Sequence, residues 1–223
     1  MMKGDNEAMY LTRVLLDARS KETAKGILRP NHFHANLEDC FPGERKRRLW
    51  RIDSYGGELY LLVVSQDKTS LDSFTKRFSP NEGSSVYQSK DYKPFLQSLR
   101  NDMVCRFRLV ANPVHSVAEE GDYGKRGKVK AHVTPQHQKA WLLKRQERMG
   151  VIIDEESLEI TSDRKLRFKN RNQMISLLQV GFEGLLTVKD EQKLKEALIN
   201  GVGRGKAFGC GLLTVMTVRD NEL

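Results

Sequence analysis

The sequence predicts an α+β fold built from one β-α-β-β-α-β pattern used twice. Three observations carry this. Period-two apolar runs begin at Met9 and again at Val104; each is followed by a stretch with helical spacing; and each half then offers further strand-like runs on either side of a second helix. Tandem units of this order are two ferredoxin-like folds, each a four-stranded antiparallel sheet with two helices on one face.

In the first unit, Tyr-Leu-Thr-Arg-Val-Leu-Leu after Met9 reads as a half-buried strand by its β-branched and aromatic content. Ser20 to Phe41 has helical spacing, broken at Arg29-Pro30, where proline fits the first turn of a fresh helix. Strands over Arg47 to Asp53 and Glu58 to Ser65 are joined by Ser-Tyr-Gly56-Gly57, a hairpin signal. A short helix over Ser70 to Phe78 and a weak edge strand over Val86 to Tyr92 complete the set. In the second unit, Val104 to Ala111 alternates as a strand should. Pro135 to Met149 is helical, with Thr134 as N-cap and Gly150 as stop. Val151 to Ile160 with Leu166 to Phe168 makes one long strand region, and Met174 to Val188 its partner. Helix Glu191 to Ile199, a glycine loop and strand Leu212 to Val218 close the unit. The boundary falls near Lys93 to Arg100, dividing the chain into residues 1–98 and 99–223.

Composition narrows the function. Lys and Arg outnumber Asp and Glu by 38 to 29 in 223 residues, a formal charge of +9, which points to a polyanionic partner, nucleic acid before membrane. No apolar run approaches the ~18 residues of a transmembrane helix. The polar N-terminus lacks a signal-peptide core, and no basic amphipathic helix or lipidation signal accompanies the charge, so a cytoplasmic protein without membrane attachment is expected. Cys40, Cys105 and Cys210 are dispersed, with no CxxC pair, in keeping with a reducing compartment.

The loop Gly201-Val-Gly203-Arg204-Gly205-Lys206-Ala-Phe-Gly209-Cys-Gly211 alternates glycines with two cations. A nucleotide P-loop would need glycine where Asn200 stands and Ser or Thr where Ala207 stands. A dinucleotide fingerprint runs strand to helix, whereas this loop runs helix to strand. Two readings remain: a loop cradling polymer phosphates with its backbone N–H groups, or a tight structural turn.

Arg164, Lys165, Arg167, Lys169 and Arg171 put five cations into eight residues where the long antiparallel pair turns. Such a tip suits a nucleic-acid groove, with guanidinium forks on phosphates; the competing reading is a charged edge that discourages aggregation. Arg45 to Arg48 and Lys125 to Lys130 are weaker basic segments. Aromatics are 8% of the chain and the aromatic RNP1 string of RNA-recognition modules is absent, so phosphate and shape contacts are favoured over base stacking. His32 and His34, about 200° apart on a helix, cannot share a ligand, and no metal set assembles elsewhere. His115, His132 and His137 read as surface residues.

Several motifs, in order, resemble the CasE family, the CRISPR-RNA-processing endoribonucleases of the Cascade surveillance complex. They are Met9-Tyr10-Leu11, His34-x-x-Leu37-x-x-x-Phe41-Pro42, Arg106-Phe107-Arg108-Leu109-x-Ala111-Asn112-Pro113, Ala140-Trp141-Leu142, Val180-x-Phe182-Glu183-Gly184 and Gly201-x-Gly203-x-x-Lys206-x-x-Gly209-x-Gly211-Leu212-Leu213. The resemblance implies tandem ferredoxin-like domains and one cut per CRISPR repeat, at the base of a stem-loop, with no metal or other cofactor. It implies a basic hairpin in the stem's groove, a glycine loop facing the RNA (Gly203, Arg204, Gly205, Lys206), and the other Cascade subunits as partners. It carries the catalytic histidine to His34. Relatives place a tyrosine three residues earlier; here that position is Asn31, which can position ribose or phosphate but cannot pass on a proton as a phenol does. Tyr10 and His32 are alternative sources of that proton. The implied chemistry is attack by the RNA 2′-OH, leaving 5′-OH and 2′,3′-cyclic phosphate ends, slow single-turnover cutting, and retention of the mature crRNA. The alternative function is a non-catalytic subunit that binds an RNA hairpin.

Overall fold

The computed structural model describes residues 8–44, 46–80, 86–117 and 127–218. Its order is β1 (Tyr10–Leu16), α1 (Lys21–Leu28), α2 (Pro30–Glu38), β2 (Leu49–Tyr55), β3 (Glu58–Ser65), α3 (Asp72–Phe78), β4 (Tyr87–Asp91) and α4 (Lys93–Ser98). There follow β5 (Val104–Ala111), β6 (Val114–Val117), β7 (Lys128–Ala131), α5 (Pro135–Leu143), α6 (Gln146–Met149), β8 (Val151–Ile153), β9 (Glu159–Asn170), β10 (Gln173–Val188), α7 (Glu191–Asn200), a 3-10 turn (Lys206–Phe208) and β11 (Leu213–Thr217). The sheets run β2-β3-β1-β4 and β11-β5-β10-β8, with β9 also on β10; both are antiparallel. In each, the outer strands of the unit flank its first and third, the ferredoxin-like arrangement. The protein is two such folds in tandem.

Local chemistry explains the breaks. Ser20 caps α1 by accepting from the Glu22 N–H, and Pro30 starts α2 at once, its missing N–H costing nothing in a first turn. The two helices can lie this close because Gly26 has no side chain: a Cβ there would sit 2.5 Å from the Phe33 ring. Phe33, Leu37, Phe74 and Phe78 then pack with Trp50, Val14 and Leu61 into the first core.

Three features depart from the sequence reading. The strand region expected over Val151 to Phe168 is cut into β8 and β9, because the five residues 154–158 stand opposite only Gly184 and Leu185 of β10. Ser157 Oγ accepts the Leu185 N–H across that gap. The helix expected to end at Met149 is interrupted between α5 and α6. The two-stranded ribbon β6-β7, not foreseen, projects from the end of β5. Arg45, Lys125 and Arg126 lie outside the described residues.

The two sheets share an apolar seam: Met9, Leu49, Val64, Tyr92 and Leu96 join the core formed by Leu109, Phe182, Leu194 and Leu212. Buried in that seam, 1% exposed, is Arg51. Its guanidinium grips Asp53 through two bonds (2.8 and 2.7 Å) and donates to the Arg108 and Leu212 carbonyls (2.8 and 2.9 Å) and to Thr214 Oγ1 (2.9 Å). A buried cation is tolerated because every donor direction is answered. Asp53 also accepts from Arg108 Nε at 2.9 Å, and Arg108 reaches Glu183.

Arg51→Ala removes the guanidinium that Asp53 and the Arg108 and Leu212 carbonyls accept from, leaving Asp53 with Arg108 alone. It is expected to cost about 3–5 kcal/mol in urea unfolding, with Arg51→Lys recovering part of that. A loss below about 1 kcal/mol would show the network to be dispensable.

Candidate active site

Residues 30, 33 and 37 of α2 point into the first core, so the stripe beside them, Asn31, His34 and Glu38, emerges at the domain junction by 3- and 4-residue spacing. His34 is neither sealed nor free-standing: its side chain is 20% exposed, with Nδ1 3.9 Å from Glu38 Oε1. Glu38 Oε2 accepts from Arg48 Nη1 at 2.9 Å. Arg48 is almost wholly buried and lies over the Phe41 ring, 4.1 Å from its centroid. The imidazole thus has a carboxylate on its Nδ1 side, itself fixed by a buried guanidinium. At 3.9 Å the carboxylate is an electrostatic neighbour of the ring and not a hydrogen-bond partner.

On one side of this stripe lies the long β9-β10 hairpin. Asn31 Nδ2 donates to the Lys169 carbonyl at 3.3 Å, tying the helix to the hairpin. Asn31 Oδ1 is buried and finds no partner among the described residues. Period-two alternation puts Lys165, Arg167 and Lys169 on the face opposite Leu166 and Phe168, which are buried; Arg171 turns the tip at φ 52°. Arg164 falls on the other face. It lines a 240 Å³ cleft between the domains with Pro30, Arg108 and Gln179, set apart from the other four cations.

On the other side lies the glycine loop, whose 3-10 turn packs against α2. Phe208 meets Phe168 edge to face at 5.2 Å, and Gln179 donates to its carbonyl, so hairpin and loop are one assembly. The glycines answer to packing first. Gly209 has φ +75°, and a Cβ there would lie 2.7 Å from the Trp50 ring; a Cβ on Gly203 would lie 2.9 Å from Trp141. Lys206 Nζ donates to the Gly203 carbonyl at 2.8 Å. Its pKa is lowered by burial and then by the nearby Arg47 and Arg148, so an arriving anion relieves an existing electrostatic cost. Arg204 is exposed and bridges to Asn112, and Gly205 precedes the turn.

The structure gives His32 a different task. Its Nε2 pairs with Glu22 at 2.8 Å, and its ring packs on Phe78. Glu22, bonded to His32 and Arg77, has its carboxyl held down to about 2. His32 faces away from the stripe and is fixed there. Glu38 and Arg48 were missed by sequence reasoning; the His34/Glu38 i,i+4 pair was the available signal. Among the described residues, no group of three or more His, Cys, Asp or Glu is placed to hold a metal ion. Nor is any helix among them long and apolar enough to cross a membrane.

The chain is similar to known proteins over nearly its whole length. Residues 9–217 match the family described as CRISPR associated protein. The chain is 30% identical to the CRISPR-associated endoribonuclease Cse3 of Thermus thermophilus, the match covering 93% of this chain and 99% of that protein. It is 31% identical to the CRISPR system Cascade subunit CasE of Escherichia coli over 49% of this chain and 56% of the relative. Among solved structures, Thermus thermophilus Cse3 bound to an RNA representing a pre-cleavage complex superposes with a TM-score of 0.75 at 28% identity, covering 94% of this chain and 99% of that one.

Gly209→Ala is expected to destabilise the protein by about 1–3 kcal/mol, since it meets both a positive φ and an aromatic ring. Urea titration checks this; an unchanged midpoint would mean the loop does not need Trp50 as its floor.

Proposed function

The chain belongs to the CRISPR-associated protein family, and on that footing we propose that it is an endoribonuclease that cuts CRISPR repeat RNA at the base of a stem-loop. The observation that carries the reading is the partly exposed His34, backed by Glu38 and Arg48, on a helix held between a cationic hairpin and a glycine-rich loop. Lys165, Arg167, Lys169 and Arg171 grip the stem through phosphates, and Arg204 and Lys206 hold the backbone near the cut. Gly203 and Gly205 let that backbone come close.

RNA supplies its own nucleophile. His34 takes the proton from the 2′-OH as the oxygen attacks the adjacent phosphorus; the P–O5′ bond breaks, the leaving oxygen takes a proton from water to become a 5′-OH, and the imidazolium returns its proton to solvent. The other product end is a 2′,3′-cyclic phosphate. Charge building on the phosphorane is met by Lys206. Asn31 Oδ1 is suited to accept from a ribose hydroxyl and so to orient the sugar, a positioning role in place of proton transfer. The mechanism asks nothing of a metal. The mature crRNA stays on the hairpin, which fits work as a Cascade subunit in the cytoplasm. Residues 1–98 supply the histidine and residues 99–223 the hairpin and loop.

The test is incubation with the repeat stem-loop in EDTA, with end-group analysis. Wild type should give 5′-OH and 2′,3′-cyclic phosphate ends. His34→Ala should cut about 10²–10⁴-fold more slowly with stem-loop affinity kept. Cleavage at the wild-type rate by that variant refutes the assignment; binding with no cleavage by wild type leaves the non-catalytic hairpin-binding subunit. Asn31→Ala should slow cutting by about tenfold, and a 2′-deoxy substitution at the scissile nucleotide should leave binding while abolishing the cut.

A further inference from the structure

A second cationic surface starts at the glycine loop and leads away from the hairpin. A 490 Å³ trough is lined by Arg47, Arg145, Arg148, Lys193, Arg204 and Lys206, with Glu196 the one carboxylate on its wall among the described residues. It shares Arg145, Gly203 and Arg204 with a 520 Å³ pocket whose lining, among the described residues, holds three histidines and no carboxylate. His115 comes from β6, His132 from the end of β7, and His137 from α5. The His115 and His132 rings lie 4.4 Å apart and those of His132 and His137 5.9 Å apart. Nothing in the cleavage chemistry uses these groups. The near end of the trough abuts the site, since Arg47 is next in the chain to Arg48 and Lys206 sits on the turn against α2.

Resting on the reading of the protein as a stem-loop nuclease, we propose that this trough and histidine pocket form a second RNA subsite, which holds the phosphates of the single strand flanking the scissile position. Six cations facing one carboxylate along a channel are a poor arrangement for a protein alone and a good one for a polyanion. Specificity by base stacking is not expected, because Trp141 is covered by Arg145 (3.8 Å to the ring centroid), so the contact is to backbone.

The pocket also makes the grip pH-sensitive. His132 shares the pocket with His115 on the ribbon (paired there with Lys130), His137 on α5, Lys144 and Arg145 just after that helix, and Arg204 on the loop. Gln138 Nε2 donates both to the His132 carbonyl and to Asp163 of β9. Burial first, then neighbouring His115 and His137, lowers the His132 pKa. A bound phosphate reverses that repulsion, so binding takes up protons and tightens as pH falls from 8 to 6.

The experiment uses full-length protein and repeat stem-loops carrying a 2′-deoxy scissile nucleotide, either blunt or with a 5′ or 3′ flank of about eight nucleotides. One flank should raise affinity about tenfold and steepen the salt dependence. In Arg47→Gln/Arg148→Gln the gain should vanish while blunt stem-loop binding is unchanged. In His115→Gln/His132→Gln/His137→Gln the gain should lose its rise between pH 8 and pH 6. Equal binding of blunt and flanked RNA by wild type overturns the subsite but not the nuclease reading, as does a gain that survives the arginine variant. A pH dependence that survives the histidine variant removes the histidines from it. Failure to bind any stem-loop sinks the nuclease reading itself.

Discussion

One buried guanidinium sets the geometry on which everything else depends. Neither ferredoxin-like unit contains the candidate site: the histidine belongs to the first, while the hairpin and glycine loop belong to the second. Their mutual placement is decided at the seam, where Arg51 of β2 donates to carbonyls of β5 and of the residue just before β11. An apolar seam alone tolerates sliding, because hydrophobic contact is non-directional. Directed bonds from a planar fork do not, and being buried they cannot be exchanged for water without exposing a charge to an apolar interior. The network therefore fixes register between the sheets, and with it the spacing between α2 and the strand that carries the cations.

From that register the site assembles with few extra parts. Trp50, next to Arg51 on β2, forms the floor under Gly209, and Trp141 packs against Gly203. The glycines are thus needed for packing, and the same lack of side chains exposes backbone beside Lys206. The two readings of the loop left open by the sequence are compatible: a tight structural turn is what holds the cations of the loop at the junction. Glu38 and Arg48 extend the same logic inward, since a buried arginine anchored on Phe41 and Glu38 gives His34 a fixed electrostatic neighbour.

How much of this could be read from the chain alone varies with the range of the forces involved. Strand and helix order follows from side-chain periodicity and local capping, which is why Tyr10–Leu16, the break at Arg29-Pro30 and the long strand ending at Val188 were legible. The split of β8 from β9 was not, because it arises from a mismatch in residue number between partner strands, a property of pairing and not of either strand. The β6-β7 ribbon was missed because Val114–Val117 and Lys128–Ala131 are short and mostly exposed, with little apolar pattern to show. The five cations of residues 164–171 looked like one cluster in sequence; alternation along a strand sends Arg164 to the interdomain cleft. The gathering of His115, His132 and His137 needed the tertiary fold, since three separate elements deliver them.

Asn31 departs from the family pattern, and its surroundings show what the amide does in this fold. Lysine, histidine or tyrosine at that position would bring a proton to exchange; asparagine brings an acceptor and a donor with no charge. Its donor is engaged by the hairpin backbone, and its buried acceptor has no partner among the described residues. The same amide therefore couples two tasks, closing the gap between α2 and β9 and presenting one oxygen beside His34. Its bond to the Lys169 carbonyl ties the helix bearing the imidazole to the strand carrying the cations.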